Sequence, residues 1–484
     1  MSETKSMDQR YLETEKVGRL ICRYSIPCIL SLLVASLYNI VDQLFISNAD
    51  YLGSYGNAAN SVVFPLTVAA LAAAVMIGDG ACAYVSICFG RKETEKAGQT
   101  IANAVVLTVI VSLILTFIYF ACMDQLLNFF GASINEKTFT LAKEYFTYIA
   151  MGIPVYMFGQ AMNPIIRSTG SPKFAMFSNM IGAVLNIILD PIMIYPMHMG
   201  MMGAAVATVI GQIVTAVLSV LYLMRIKGVH FAKHVFKLSW SLDKVFLPLG
   251  MTSLLSQISV VASMAAVNTM IVHTSLADPI FSQAQYSQIP MAVLGIVMKF
   301  FQIIISISVG LAAGCIPLIG YNSGAGRTDR IRQFLKTLII SEAAVGLIGL
   351  IIAEVFPSEI MQLFGAANES AYYQTFAVKA FRIYLCMMIP ACINKGMFIF
   401  LQSLGRAFLS TALSLLREIV FGVGLTLLIP VWFGLDGVLY SMPVSDILAF
   451  AAVSLAVLRT AQELNQKLAK KAVPTRLIEE TSES

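Results

Sequence analysis

"YSIPCILSLLVASLYNIVDQLFI", residues Tyr24–Ile46, holds one charged side chain, Asp42, in 23 positions. As a helix this run is about 35 Å long, enough to cross the ~30 Å hydrocarbon core of a bilayer. The rest of the 484-residue chain is built alike, with 58% hydrophobic residues, 12% charged residues and a mean hydropathy of +0.78. Soluble domains carry roughly 25% charged residues, so this supply cannot cover a water-facing surface. The chain reads as an all-α integral membrane protein.

Polar breaks divide it into twelve spans at about 24–47, 58–89, 99–123, 143–167, 174–195, 200–225, 245–273, 287–319, 334–356, 376–404, 408–431 and 434–459. Alternate connections are basic, and together with the two tails they hold 25 of the 32 Lys and Arg residues. The positive-inside rule then puts both termini in the cytoplasm, and an even number of spans agrees. The expected location is the cytoplasmic (inner) cell membrane. Residues 1–18 are polar and mixed in charge, with no secretory signal before the first span.

The chain repeats itself. "FGRKETEKA" (Phe89–Ala97) falls on "SGAGRTDRI" (Ser323–Ile331), and "LLNFFGA" (Leu126–Ala132) on "IMQLFGA" (Ile360–Ala366), both at a shift of 234. "KEYFTYIAMGIP" (Lys143–Pro154) falls on "KAFRIYLCMMIP" (Lys379–Pro390) at 236, and "RSTG" (Arg167–Gly170) on "QSLG" (Gln402–Gly405) at 235. Six spans separate the partners, so the repeats share one membrane orientation, a recurrent plan for secondary transporters that bind substrate between two rocking halves. The expected organisation is a tail (1–23), a six-helix lobe (24–225), a basic linker (226–244), a second six-helix lobe (245–459) and a second tail (460–484).

No G-x-x-x-x-G-K-[ST] phosphate loop or other nucleotide signature is present, so uphill work must come from an ion gradient. The eight cysteines follow neither metal nor disulfide spacing and read as small apolar residues. His230 and His234 stand four apart in the basic linker, not in a span, and no histidine lies mid-span to support an intramembrane enzyme.

Within the spans, acids are the costly residues. Asp190 in "NIILDPIMIY" (Asn186–Tyr195) lies about 26 Å along the fifth span, Asp42 about 28 Å along the first, and Thr208 about 12 Å from the outer end of the sixth. All three reach the outer half of one lobe. Asn186 shares a helix face with Asp190, and Asn39 with Asp42. An apolar site or a second carboxylate favours the neutral acid, so such groups suit proton exchange; two carboxylates, an amide and a hydroxyl also suit a sodium ion.

"IPCILSLLVASLYNIVDQLFI", "NIILDP", "GCIPLIGYNSGAGRTDRIR" and "GLDGVLYSMPVSDIL" together resemble the multidrug and toxic compound extrusion (MATE) family, in its MepA-like bacterial branch. The resemblance covers roughly residues 18–460. It implies twelve helices in two lobes around a central cavity, and export of lipophilic, often cationic compounds in exchange for protons or sodium, without a cofactor. It also carries the coupling role onto Asp42, Asn186 and Asp190, with Thr208 beside them.

The second lobe has no counterpart of that acid pair. It places Lys299, Arg417, Glu418 and Asp446 at about mid-membrane depth, where two bases and two acids suggest a mutually neutralising network. Tyr38, Asn39, Asp79, Lys299, Arg417 and Asp446 are the candidates for contact with substrate. Asp79, between Gly78 and Gly80, equally suits helix packing. "MHMGMM" (Met197–Met202) is a hydrophobic outer turn that a departing substrate would pass. The expected partners are small molecules and lipid, not nucleic acid, with the chain a monomer. The alternative is a flippase for lipid-linked precursors, disfavoured by twelve spans and few unpaired interior bases.

Overall fold

The computed structural model describes residues 11–49, 51–132, 135–226, 239–283, 286–363 and 370–482. Among them there is no strand. The first half comprises α1 (Tyr11–Thr14), α2 (Val17–Asn48), α3 (Gly53–Gly90), α4 (Thr94–Ala121), α5 (Met123–Phe129), α6 (Glu136–Ser168), α7 (Pro172–Ile194) and α8 (Gly200–Met224). The second comprises α9 (Trp240–Ser275), α10 (Ile289–Gly324), α11 (Thr328–Val355), α12 (Pro357–Leu363), α13 (Ala371–Leu385), α14 (Met388–Ser403), α15 (Ala407–Leu415), a π-helical segment (Leu416–Val423) and α16 (Gly424–Ser482).

Twelve crossings result. α13 and α14 bend by 41° and form one. The stretch Ala407–Ala469 would be about 95 Å long as a straight helix, and Gly434, at φ +56°, folds it into two. Exposed apolar side chains such as Leu113, Ile114, Phe117, Leu455 and Leu458 face outward, as lipid-facing surfaces require.

The repeat is visible in the backbone. α4 and α11 have bounds offset by 234 at both ends, as do α5 and α12. Left-handed residues recur at the same shifts: Lys92 with Gly326, Gly170 with Gly405, and Gly200 with Gly434. Glycine suits five of these six positions because it lacks the Cβ that penalises positive φ.

Three boundaries differ from the sequence reading. The first span begins at Val17 rather than 24, because Leu20 and Ile21 are buried. The first tail holds the short helix α1. The last helix continues through the expected second tail. His230 and His234, with most of the linker, lie outside the described residues.

The lobes meet through α2 with α10 and through α3 with α9 and α10. The contacts cluster at the end of the bundle that carries both termini. Gly310 and Gly314 of α10 press on Ile29 and Ser25 of α2, Gly250 of α9 on Met76 of α3, and Gly324 on Ile87. Ser25 Oγ donates to the Leu311 carbonyl at 2.7 Å. The outermost α2–α10 hydrogen bond, 3.4 Å, joins Ser36 and Ser306. Beyond it Asn39 on α2 and Gly295, Lys299 and Gln302 on α10 are exposed. The two lobes therefore close at the terminal end and leave a cleft at the other.

Candidate functional site

The first lobe brings four of the expected residues together. Asp42 of α2 and Asp190 of α7 are buried, and their carboxyl groups lie within electrostatic reach of each other. Asn186 Nδ2 donates to Asp190 Oδ1 at 3.1 Å and to Thr208 Oγ1 at 3.2 Å, tying α7 to α8. Among the described residues three buried oxygens find no protein donor: Asp42 Oδ1, Asn186 Oδ1 and Asp190 Oδ2. Tyr38, one turn before Asp42, and Tyr145 of α6 lie within electrostatic reach of the pair. Pro191 follows inside α7, where it removes a backbone donor.

Asn39 does not join them. It is exposed toward the cleft and donates to the Ala35 carbonyl at 2.8 Å, while Asp42 turns into the lobe. Three positions on a helix differ by about 60° in direction, which here separates cleft from interior.

In the second lobe Arg417 donates through Nε to Asp446 Oδ1 at 2.9 Å and through a terminal nitrogen to Glu418 Oε2 at 2.8 Å. Ser259 Oγ donates to the same Glu418 oxygen at 2.6 Å, and Lys395 of α14 pairs with Glu418 Oε1. All four charged groups are buried. The network is thus real, but its second base is Lys395, not Lys299. Depth along a helix does not fix the face a residue occupies, and Lys299 is exposed on α10 without an ion pair among the described residues. The available signal for Lys395 was its place in the apolar second half of the tenth span, where it is the lone base of α14. The π-helical segment under Arg417 and Glu418 widens the turn, a distortion frequent at functional sites.

Glu342 of α11, not singled out from sequence, is fully buried and accepts from Ser308 Oγ at 2.5 Å. Its position midway along the ninth span was the available signal.

Asp79 of α3 sits on the seam between the lobes. Ser253 of α9 donates to its Oδ2 at 2.8 Å, and Arg167 of α6 stands 3.6 Å from its Oδ1. Gly80 beside it packs on the Phe246 carbonyl. Both residues thus join α3 to α9 across the seam. Of the outer turn, Met197 is exposed and Met201 is buried. Among the described residues the cysteines are unpaired, and Cys22 and Cys122 are exposed rather than packed.

Two lobes of six crossings, related by a repeat and closed at one end over a cleft, form a transporter architecture. The MatE family model matches residues 27–192 and 252–428, most of both lobes. The chain belongs to the MatE family. A curated relative, Multidrug export protein MepA of Staphylococcus haemolyticus (strain JCSC1435), is 24% identical over 92% of this chain and 94% of its own. Among solved structures, MATE in the straight conformation superimposes with a TM-score of 0.85 at 23% identity, covering 96% of this chain and all of that one. An outward-facing multidrug resistance MATE family transporter of the MOP superfamily superimposes with a TM-score of 0.83 at 24% identity, covering 96% and 100%. These likenesses establish the MATE fold for this multi-pass membrane transporter.

Proposed function

We propose that this MatE protein is a proton-coupled antiporter that exports lipophilic compounds across the cytoplasmic membrane. It acts as a monomer with both termini in the cytoplasm, where the basic connections would face. On this reading the cleft opens outward.

The observation that carries the proposal is the Asp42–Asp190 pair, two buried carboxyls on different helices within electrostatic reach of each other and both set around Asn186 and Thr208. Two carboxyls close together in an apolar lobe hold a proton at lower cost than two charges. Losing the proton leaves two charges in a low-dielectric lobe, which drives α2 and α7 apart or draws water in. Either movement is transmitted through α2 to its contact with α10. Pro191 gives α7 a place to bend. Multidrug export is the function named for the staphylococcal relative, and lipophilic cargo is taken from that likeness.

A second reading, sodium coupling, is favoured by the three unpartnered oxygens of Asp42, Asn186 and Asp190, which suit a hard cation. Purified protein in sealed vesicles distinguishes the two. A pH step in sodium-free buffer should drive dye efflux, and a strict sodium requirement would replace the proton by sodium.

A further inference from the structure

We propose that Lys299 is the charge-recognition point of the cleft, and that the preferred cargo is an amphipathic compound bearing a free carboxylate. This rests on the exporter reading and specifies its substrate class.

One face of α10 fixes where Lys299 points. Residues 299, 306, 310, 317 and 324 point in directions within about 40° of one another at 3.6 residues per turn. Three of them touch the first lobe: Ser306 on Ser36, Gly310 on Ile29, and Gly324 on Ile87. That face is therefore the lobe-facing one, and Lys299 extends it two turns beyond the last contact, into the cleft. Its exposure has the same cause. Residues 291, 292, 295, 299 and 302 form the exposed stripe of the outer half of α10, while Val293, Leu294, Val297 and Phe300 are buried in the second lobe.

The charge of the cleft then follows from the other acids. Asp42 and Asp190 are buried inside the first lobe with each other. Asp79 is engaged by Arg167 and Ser253. Glu418 and Asp446 are neutralised by Lys395 and Arg417. Glu342 is sealed against Ser308. Continuing the contact face of α2 outward reaches Asn39 and Gln43, and that of α9 reaches Gln257, Val260 and Met264, all uncharged. Among the described residues Lys299 is thus the sole charged side chain on the facing stripes of the cleft. Uncharged walls with one fixed ammonium attract an amphipathic anion or zwitterion and repel a simple cation. The resemblance alone leads one to expect cations, whereas this cleft selects for the carboxylate.

The test uses two rhodamine dyes that differ in one group, a free carboxylate and its methyl ester. Binding is read by fluorescence anisotropy on purified full-length protein in detergent, which needs no ion gradient. Failure of this proposal therefore stays distinct from failure of the coupled-export reading, which the vesicle assay reports. The wild type should bind the acid at least about tenfold more tightly than the ester, Lys299→Gln should erase the preference, and Lys299→Glu should invert it. Lys299→Arg should retain it. Equal binding of both dyes by the wild type, tighter binding of the ester, or an equal loss for both dyes in Lys299→Gln would overturn the assignment.

Discussion

Gly324 of the second lobe approaches Ile87 of the first so closely that a Cβ on the glycine would sit 2.0 Å from the Ile87 carbonyl oxygen. Gly90 repeats the relation in reverse, 2.0 Å from the Tyr321 carbonyl. Backbone carbonyls cannot retreat as a flexible side chain can, so any larger residue must push the lobes apart. Gly324→Val should therefore disfavour the state closed at the terminal end, at an overpacking cost of about 1–3 kcal/mol. Nitroxide labels placed across the seam should report a longer mean distance, and export should slow. An unchanged distance distribution would show that the seam does not set the conformation.

The acid pair of the first lobe has a separable signature. Asp42→Asn and Asp190→Asn each keep the side chain's shape and remove a titrating group. Either variant should insert, fold and bind dye, yet lose gradient-driven efflux in vesicles by at least about a hundredfold. A variant that still exports under a pH gradient would remove that residue from coupling.

Most of the architecture was legible because each piece rests on a one-dimensional signal. Span length, basic connections and the 234-residue shift are all sequence distances, and the left-handed residues recur at that shift. The acid pair was legible for the same reason, since depth along α2 and α7 predicted that Asp42 and Asp190 meet. What failed depended on direction around a helix. Lys299 and Arg417 share a depth but point to different places, and Asn39 parts from Asp42 by the same geometry. The contact of Asp79 with Ser253, 174 residues away in sequence, had no one-dimensional signal.

In the second lobe the test is one of balance. Lys395 and Glu418 are both buried, and removing either leaves the four-charge network with one uncompensated charge, at a cost of about 3–5 kcal/mol. Lys395→Met and Glu418→Gln should each lower the thermal unfolding temperature markedly. The double variant should recover part of the loss, because Arg417 still has Asp446 at 2.8 Å. Additive losses would mean that the two residues do not act as a pair.

The short helix α1 ties the lobes together at the end where they close. It precedes α2 of the first lobe, yet its Leu12 carbonyl accepts from Asn322 of α10 at 3.2 Å and the Glu15 carbonyl just past it accepts from Arg330 of α11 at 2.6 Å. Glu13 accepts from Tyr321 Oη of α10 at 3.1 Å, an acceptor that Gln would keep, and stands 3.7 Å from the exposed Arg327, in a solvent-screened pair that contributes little. Leu12 is 1% exposed and is the apolar anchor of the strap. Leu12→Ala should therefore loosen the closed end, with a core-deletion cost of about 2–5 kcal/mol. Glu13→Gln should leave it nearly unchanged. Labels on α1 and α11 should separate in the first variant and not in the second. Equal separation in both would mean that charge, not apolar burial, holds the strap across the seam.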